Sequence, residues 1–344
     1  MPLIFMARVV SVFTAMIIVI WQPLFADESK HIPVIHEDYT VPNLIAPADN
    51  KITPARIELG RTLFFDPRLS GSKWISCATC HNPGLGWSDG LNTALGNGMV
   101  QQRRSTPTLV NVGYNQTFMW DGRKVSLEDQ ALAPIESKDE MNMDMSMLVE
   151  RLSAIPGYRP LFDHAYPGEG ITRVTVAKAL ASFERTIVSK DTPFDRWQRG
   201  DANAVSAAAK RGSDLFHGKA RCNLCHRGFN FTDDGFHNIG LVSLPGMPED
   251  EGRFEQRKVK ILKGSFKTPT LRNVELTAPY MHNGIYRSLQ EVVDHYDRGG
   301  DIKDNLDPNI FPLRLTPQEK EDIVAFMKSL TSKAADVAVP RLPQ

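Results

Sequence analysis

The chain has 344 residues, 40 basic and 40 acidic side chains, 42% apolar residues and four cysteines. No Lys/Arg-rich run appears, which argues against nucleic acid as a partner. The apolar share is ordinary for a globular protein of this length, with one to three domains.

In chain order, residues 1–26 read as a secretory signal. Val9 to Trp21 is mostly apolar, Arg8 precedes it, Pro23 follows, and cleavage is expected after Ala26. The run is short for a membrane span, so no stable span is expected once it is removed. An uncleaved anchor is the alternative. Removal leaves 318 residues (344 − 26). Asp27 to Asn50 reads as a polar, extended arm. Thr53 and Pro54 then open a helix, Thr as its cap and Pro in its first turn. That helix carries Leu59-Gly60-Arg61-Thr62-Leu63-Phe64.

Next comes Cys77-Ala78-Thr79-Cys80-His81, with a twin at Cys222-Asn223-Leu224-Cys225-His226. Each is C-x-x-C-H, the attachment pattern of a c-type haem. A lone C-x-x-C would suit a zinc site or a thioredoxin-like pair as well. Two copies, each followed directly by His, point to two covalent haem c groups. The thiols bond the vinyl groups, and His81 and His226 reach the irons from the proximal side. The motifs use all four cysteines, leaving none for a disulfide or a nucleophile. Haem c is attached outside the cytoplasm, so the motifs and the signal together predict a periplasmic protein.

The chain is also duplicated. A helix with Arg211-Gly212-Ser213-Asp214-Leu215-Phe216 precedes the second motif as the Gly60 helix precedes the first. Thr106-Pro107-Thr108-Leu109-Val110-Asn111-Val112 matches Thr268-Pro269-Thr270-Leu271-Arg272-Asn273-Val274 at an offset of 162 (268 − 106). Met119 pairs with Met281, Gly122 with Gly284, and Ser126-Leu127 with Ser288-Leu289. Val174 to Ile187 reads as a helix, and Asp191 to Asn203 as a linker. Thr316-Pro317-Gln318-Glu319 is a capping box opening a last amphipathic helix. The tail beyond Ser332 is expected to fray. The fold class is therefore mainly α: two fused cytochrome c-like domains, residues 27–195 and 196–344, each with one haem. The same offset sets Tyr296 opposite Pro134. If Tyr296 is a distal iron ligand, the first repeat has proline in its place, which has no side chain that binds iron. The first haem is then open and the second closed.

These features resemble the bacterial di-haem cytochrome c peroxidase family, MauG included, over nearly the whole mature length. The stretches that carry the resemblance are Trp120-Asp121-Gly122-Arg123, Gln130, Pro134, Glu140-Met141, Phe236-His237-Asn238-Ile239-Gly240, and Thr268 to Gly284. The resemblance implies a high-spin, peroxide-reactive first haem on His81, with Gln130, Pro134 and Glu140 lining its distal pocket. It implies a low-spin electron-transfer haem on His226, with Trp120 between the two. Thr277 and Pro279 match positions whose carbonyls bind an interhaem calcium. Hydrogen peroxide is the implied substrate. The implied partner is a protein whose side chain is oxidised at a distance; alternatively, a small cytochrome or cupredoxin feeds electrons to a peroxide-detoxifying enzyme.

Three departures from the peroxidase branch bear on that choice. Tyr296 stands where that branch has Met, as in MauG. The loop from Ser88 to Ser105 has no histidine to close the first haem, and Asn97 is near the expected place. Ser105 replaces the asparagine that helps to bind calcium. The 145-residue spacing from His81 to His226 (226 − 81) resembles the simple peroxidases more than MauG. His295 rivals Tyr296 as ligand, and Met281 is a weaker rival. Met141, Met143, Met145 and Met147 could hold Cu(I) through soft thioethers; a haem-side loop running into a helix is the favoured reading.

Overall fold

Residues 39–333 and 337–344 are described by a computed structural model. The signal segment, its cleavage site and the first part of the arm lie outside them. Ten α-helices are present among the described residues: α1 (Pro54–Phe65), α2 (Cys77–Cys80), α3 (Leu127–Glu136), α4 (Met145–Ser153), α5 (Tyr158–Ala165), α6 (Arg173–Glu184), α7 (Pro193–Gln198), α8 (Ala207–His217), α9 (Leu289–Asp297) and α10 (Pro317–Lys328). The sheet among these residues is a short antiparallel pair, β1 (Phe236–His237) against β2 (Phe266–Lys267), with Phe236 opposite Lys267. The mainly α class is borne out, and no helix among the described residues is long and apolar enough to cross a membrane.

The helix starts follow their caps. The Thr53 hydroxyl accepts from Arg56 N, and Pro54 takes the first position of α1, where no amide hydrogen is needed. At α10, the Thr316 hydroxyl accepts from Glu319 N at 3.2 Å and Glu319 Oε2 accepts from Thr316 N at 2.7 Å.

Each repeat is built on one close helix crossing. α1 packs on α6 and α8 on α10. Glycine makes both crossings: a Cβ on Gly60 would lie 1.9 Å from Ala179 O, and one on Gly212 would lie 1.8 Å from Asp322 O. Around the first crossing lies a core that includes Leu59, Leu63, Phe64, Leu180 and Phe183. Around the second lies a core that includes Phe194, Phe216, Phe231, Ile323 and Phe326.

The duplication read at an offset of 162 recurs in the backbone. Asn111 and Asn273 both sit at φ 58° in the left-handed region. Short 3₁₀ turns follow at Val112–Tyr114 and Val274–Leu276. Met119 and Met281 are left-handed too, at φ 69° and 76°. The bridge between Phe118 and Lys124 is repeated between Tyr280 and Tyr286. α3 and α9 begin at Leu127 and Leu289 behind equivalent serine caps.

The two repeats also bind each other reciprocally, as identical subunits do across a two-fold axis. Ser105 N donates to His282 O at 2.8 Å, and Lys267 N donates to Trp120 O at 2.8 Å. Ser105 and Lys267 are repeat partners, as are Trp120 and His282.

Three regions differ from expectation. The stretch Asp191 to Asn203 is not a free linker. Thr192 and Asp195 form a capping box, α7 follows, and Phe194, only 1% exposed, anchors it in the second core. Arg272, wholly buried, donates to Asp195 Oδ1 at 2.6 Å and to Phe229 O at 2.7 Å, tying α7 to the second haem-motif loop. Tyr39, on the arm, is buried in the second core rather than the first. Residues 337–344 do not fray: they run back over the first repeat. Arg61 Nη1 donates to Ala338 O at 2.6 Å, Arg68 Nη2 to Pro343 O at 3.0 Å, and Gly157 N to Gln344 O at 3.0 Å.

Candidate active site

Both repeats line one continuous cavity of about 700 Å³. Cys77, Cys80 and His81 of the first repeat line it, as do Cys222, Cys225 and His226 of the second. Trp120, Gln130, Pro134, Glu140, Thr277, Pro279 and Tyr296 line it as well. The sequence-predicted site residues are thus brought together.

The donor set fits two haems. His81 Nδ1 donates to Trp87 O at 3.1 Å, and His226 Nδ1 donates to Phe231 O at 2.9 Å. In each ring this leaves Nε2 as the free lone pair, the arrangement an iron-ligating imidazole needs. Burial pushes both imidazoles below their ordinary pKa, which keeps them neutral. Burial raises the thiols, Cys80 to about 11 and Cys222 to about 12, which favours their protonated forms.

In the first repeat, part of the cavity wall comes from α3 and the turn after it. Gln130 and Pro134 lie four residues apart on α3, so they share one face of the helix. Gln130 Oε1 is buried without a hydrogen-bond partner; an orphaned acceptor in a cavity marks a place where a ligand or water is expected. Glu140 follows α3, and burial raises its carboxyl above the usual range while Arg123 opposes the rise. The loop without histidine is tied to that segment. Asn97 N donates to Asp139 O at 3.0 Å, and Gln102 Nε2 donates to the same carbonyl at 2.8 Å.

In the second repeat, Tyr296 lies on α9 and faces the cavity. Burial, and then the nearby sulfurs of Cys222 and Cys225, raise its hydroxyl pKa. His295 does not face the cavity. It is wholly buried, its Nε2 donates to Ile239 O at 2.8 Å, and its Nδ1 lies 3.0 Å from the Tyr286 hydroxyl. Both ring nitrogens are engaged elsewhere.

Between the sites, Trp120 Nε1 donates to Ser105 O at 2.9 Å. The Ser105 hydroxyl donates to Met281 O at 2.8 Å, so it is committed to the repeat interface. Thr277 and Pro279, matched from the sequence to calcium-binding positions, line the same cavity. Met141, Met143 and Met145 are buried in the first core, and Met147 is exposed. The run is core and helix start.

Sequence reasoning missed three features. His282 stacks on Phe266 at 3.5 Å, meets Trp120 edge to face, and burial lowers it to about 3. The repeat offset would have paired it with Trp120. Arg104 joins Asp121 of one repeat to Asp250 of the other, at 2.7 Å each. His237 lies between Asp233 at 3.0 Å and Asp307 at 2.7 Å. Cys225, Asp233 and His237 converge as a metal site would. With the Cys225 sulfur in a haem thioether, the rest is a carboxylate–imidazole clamp on the loops around the second haem.

Comparison with known proteins agrees with this architecture. Residues 54–203 match the family described as di-haem cytochrome c peroxidase, and residues 209–331 match cytochrome c. The methylamine utilization protein MauG of Methylorubrum extorquens is 49% identical over 86% of this chain and 84% of its own. The cytochrome c551 peroxidase of Pseudomonas aeruginosa is 37% identical over 85% and 83%. A crystal structure of a MauG-like protein associated with microbial copper homeostasis superposes with a TM-score of 0.79 at 32% identity, covering 86% of this chain and 96% of that one.

Proposed function

Since the chain belongs to the di-haem cytochrome c peroxidase family that includes MauG, we propose that it receives hydrogen peroxide at its first repeat and spends the oxidising power on a partner protein's side chain at a distance. That it is an oxidoreductase, and that hydrogen peroxide is its substrate, follow from the family. The haems, when bound, supply the iron that breaks the O–O bond and holds the oxidising equivalents. The rest of the reading concerns the chain's own groups.

His81 would hold the first haem, and Pro134, at the helix position of Tyr296, offers no side-chain donor to it. Glu140 takes a proton from one peroxide oxygen and returns it to the other, as general acid–base catalysis requires. Gln130, which does not titrate, orients the peroxide through its free Oε1. Trp120 carries an electron between the two halves. Tyr296, together with His226, would hold the second haem. Burial favours the tyrosine's protonated form, and a cation at the hydroxyl would oppose that. A phenolate donor there would favour a more oxidised iron than a thioether would. We place the protein in the periplasm, on its C-x-x-C-H motifs and signal-like N-terminus, and calcium at Thr277 and Pro279 belongs to the same reading.

The observation that carries the proposal is Tyr296 in the cavity, with Pro134 at the equivalent helix position and His295 engaged elsewhere. The second reading is a peroxide-scavenging enzyme fed by a small cytochrome or cupredoxin. It is favoured by the 37% identity to the cytochrome c551 peroxidase. Electron paramagnetic resonance of the fully ferric protein separates the two. One high-spin and one low-spin haem, with peroxide reactivity as isolated, support the proposal. Two low-spin haems, with reactivity only after one-electron reduction, support the scavenger.

A further inference from the structure

One ionisable side chain in the cavity has no part in that reading. Glu184, the last residue of α6, is 5% exposed, and its Oε2 is buried with no hydrogen-bond partner. It lines the cavity beside the Cys77 sulfur, whose proton affinity it raises. Burial pushes the carboxyl up to about 8, against a smaller opposing pull from Arg185. An unpaired buried carboxylate is costly, so burial brings the group's two protonation states into balance near pH 8 rather than in acid.

The repeat isolates its role. At the α1–α6 crossing the missing Cβ of Gly60 faces Ala179 O and the Phe183 side chain; at the α8–α10 crossing that of Gly212 faces Asp322 O and Phe326. Phe183 therefore matches Phe326, and the next residue, Glu184, matches Met327. Met327 is also buried and lines the same cavity. One haem site thus has a titratable acid where the other has a thioether.

We propose that Glu184 is the proton site coupled to the electron on the haem held by Cys77, Cys80 and His81. When an external one-electron donor reduces that haem, the Glu184 carboxylate takes one proton from water and forms a carboxyl O–H bond. When the haem gives up the electron, that bond breaks and the proton returns to water. The coupling is Coulombic: an added electron in a dry cavity raises the proton affinity of a carboxylate beside it, and by reciprocity the bound proton favours the reduced haem. The charged groups facing Glu184 are few. Arg185 is next in the chain and is held by Glu128 of α3 through two contacts of 2.7 and 2.9 Å; Glu128 itself opposes ionisation, and α2 brings Cys77. α1 and α4 bury only Leu59, Gly60, Thr62, Leu63, Phe64, Met145, Leu148 and Leu152, none of them ionisable. The inference rests on a haem being attached at Cys77 and Cys80, whichever haem meets peroxide.

The test is a spectroelectrochemical titration of the holoprotein on both sides of pH 8, reading the two haems separately. In the parent, the first haem's midpoint falls as pH rises, towards one proton per electron. In Glu184→Gln that dependence is lost, while the second haem responds as in the parent. Glu184→Met, which copies Met327, serves if the glutamine variant does not fold. A carboxylic-acid C=O band appears in the reduced-minus-oxidised infrared spectrum of the parent and is missing in either variant. A parent midpoint that ignores pH, or a slope and band retained in a folded variant, overturns the inference. A mass without haem on Cys77 and Cys80 overturns the site reading beneath it.

Discussion

Trp120 and His282 stand at the same position of the duplicated segment, and their rings meet edge to face at 6.4 Å. Each also gives its carbonyl to the other's half of the interface, Trp120 O to Lys267 N and His282 O to Ser105 N. The pair fixes how the halves meet. If Trp120 also carries electrons, Trp120→Phe should leave both ferric spectra as in the parent and slow the peroxide-induced change at the second haem in stopped-flow absorption. An unchanged rate would reduce Trp120 to packing.

Tyr296→Phe should convert the low-spin haem to another coordination state, seen by electron paramagnetic resonance. His295→Gln should leave that signal in place and cost about 1–3 kcal/mol of stability in a thermal melt, because the Ile239 carbonyl and Tyr286 hydroxyl lose a buried partner. A low-spin signal that follows His295 and ignores Tyr296 would remove the main support for the protein-oxidising function.

Glu140→Gln should slow peroxide activation by roughly 10²–10⁴-fold with both haem spectra nearly unchanged. The pH profile gives a second reading. Burial raises the Glu140 carboxyl, so the ionised form needed to accept the first proton is lost as pH falls through a value above the ordinary glutamate pKa of about 4.3. Activation by the parent should drop on that acid limb, and the glutamine variant should be flat. A parent without the limb would assign the proton transfer to another group.

The His237 clamp should make the protein sensitive to alkali. The hydrogen bond to Asp233, then Cys225, and then Asp307 raise the imidazole to about 11, from an ordinary value near 6.5. Its contribution is therefore full below the ordinary value and fades as pH rises towards the raised one. Thioether formation at Cys225 removes that sulfur's share and moves the loss to lower pH. Asp233 works in the opposite direction: burial would raise it, but His237 and Gly235 N hold it near 2, so its contribution is lost only in strong acid. The holoprotein melt should be level in mild acid and fall as pH rises through neutrality to the alkaline side, and His237→Gln should abolish most of that fall.

Much of this arrangement was legible in the chain. The duplicated Thr-Pro-Thr-Leu segment carried the repeat, the paired C-x-x-C-H motifs carried the haem sites, and the shared offset set Pro134 against Tyr296. Capping residues marked α1 and α10 because their hydrogen bonds are local. What was not legible depended on partners far away in sequence. Phe194 sits in a stretch rich in proline and charge, so composition hid its anchor. Glu184 looks like any acid at a helix end until α1 and α3 close around it. His295 and Tyr296 are adjacent, and only the tertiary contacts of Ile239 and Tyr286 separate their roles.

The segment 337–344 has a consequence for the order of assembly. Its hydrogen bonds to Arg61 and Arg68 span 277 and 275 residues. Contacts closing loops of that length form late, because their entropic cost precedes their gain. A ribosome also makes the first repeat long before this segment. The first repeat therefore emerges with Arg61, Arg68 and Gly157 uncovered, and its outer wall is finished only after the second repeat exists. That interval is a window in which Cys77 and Cys80, half-buried in the finished fold, are more open to the machinery that attaches haem.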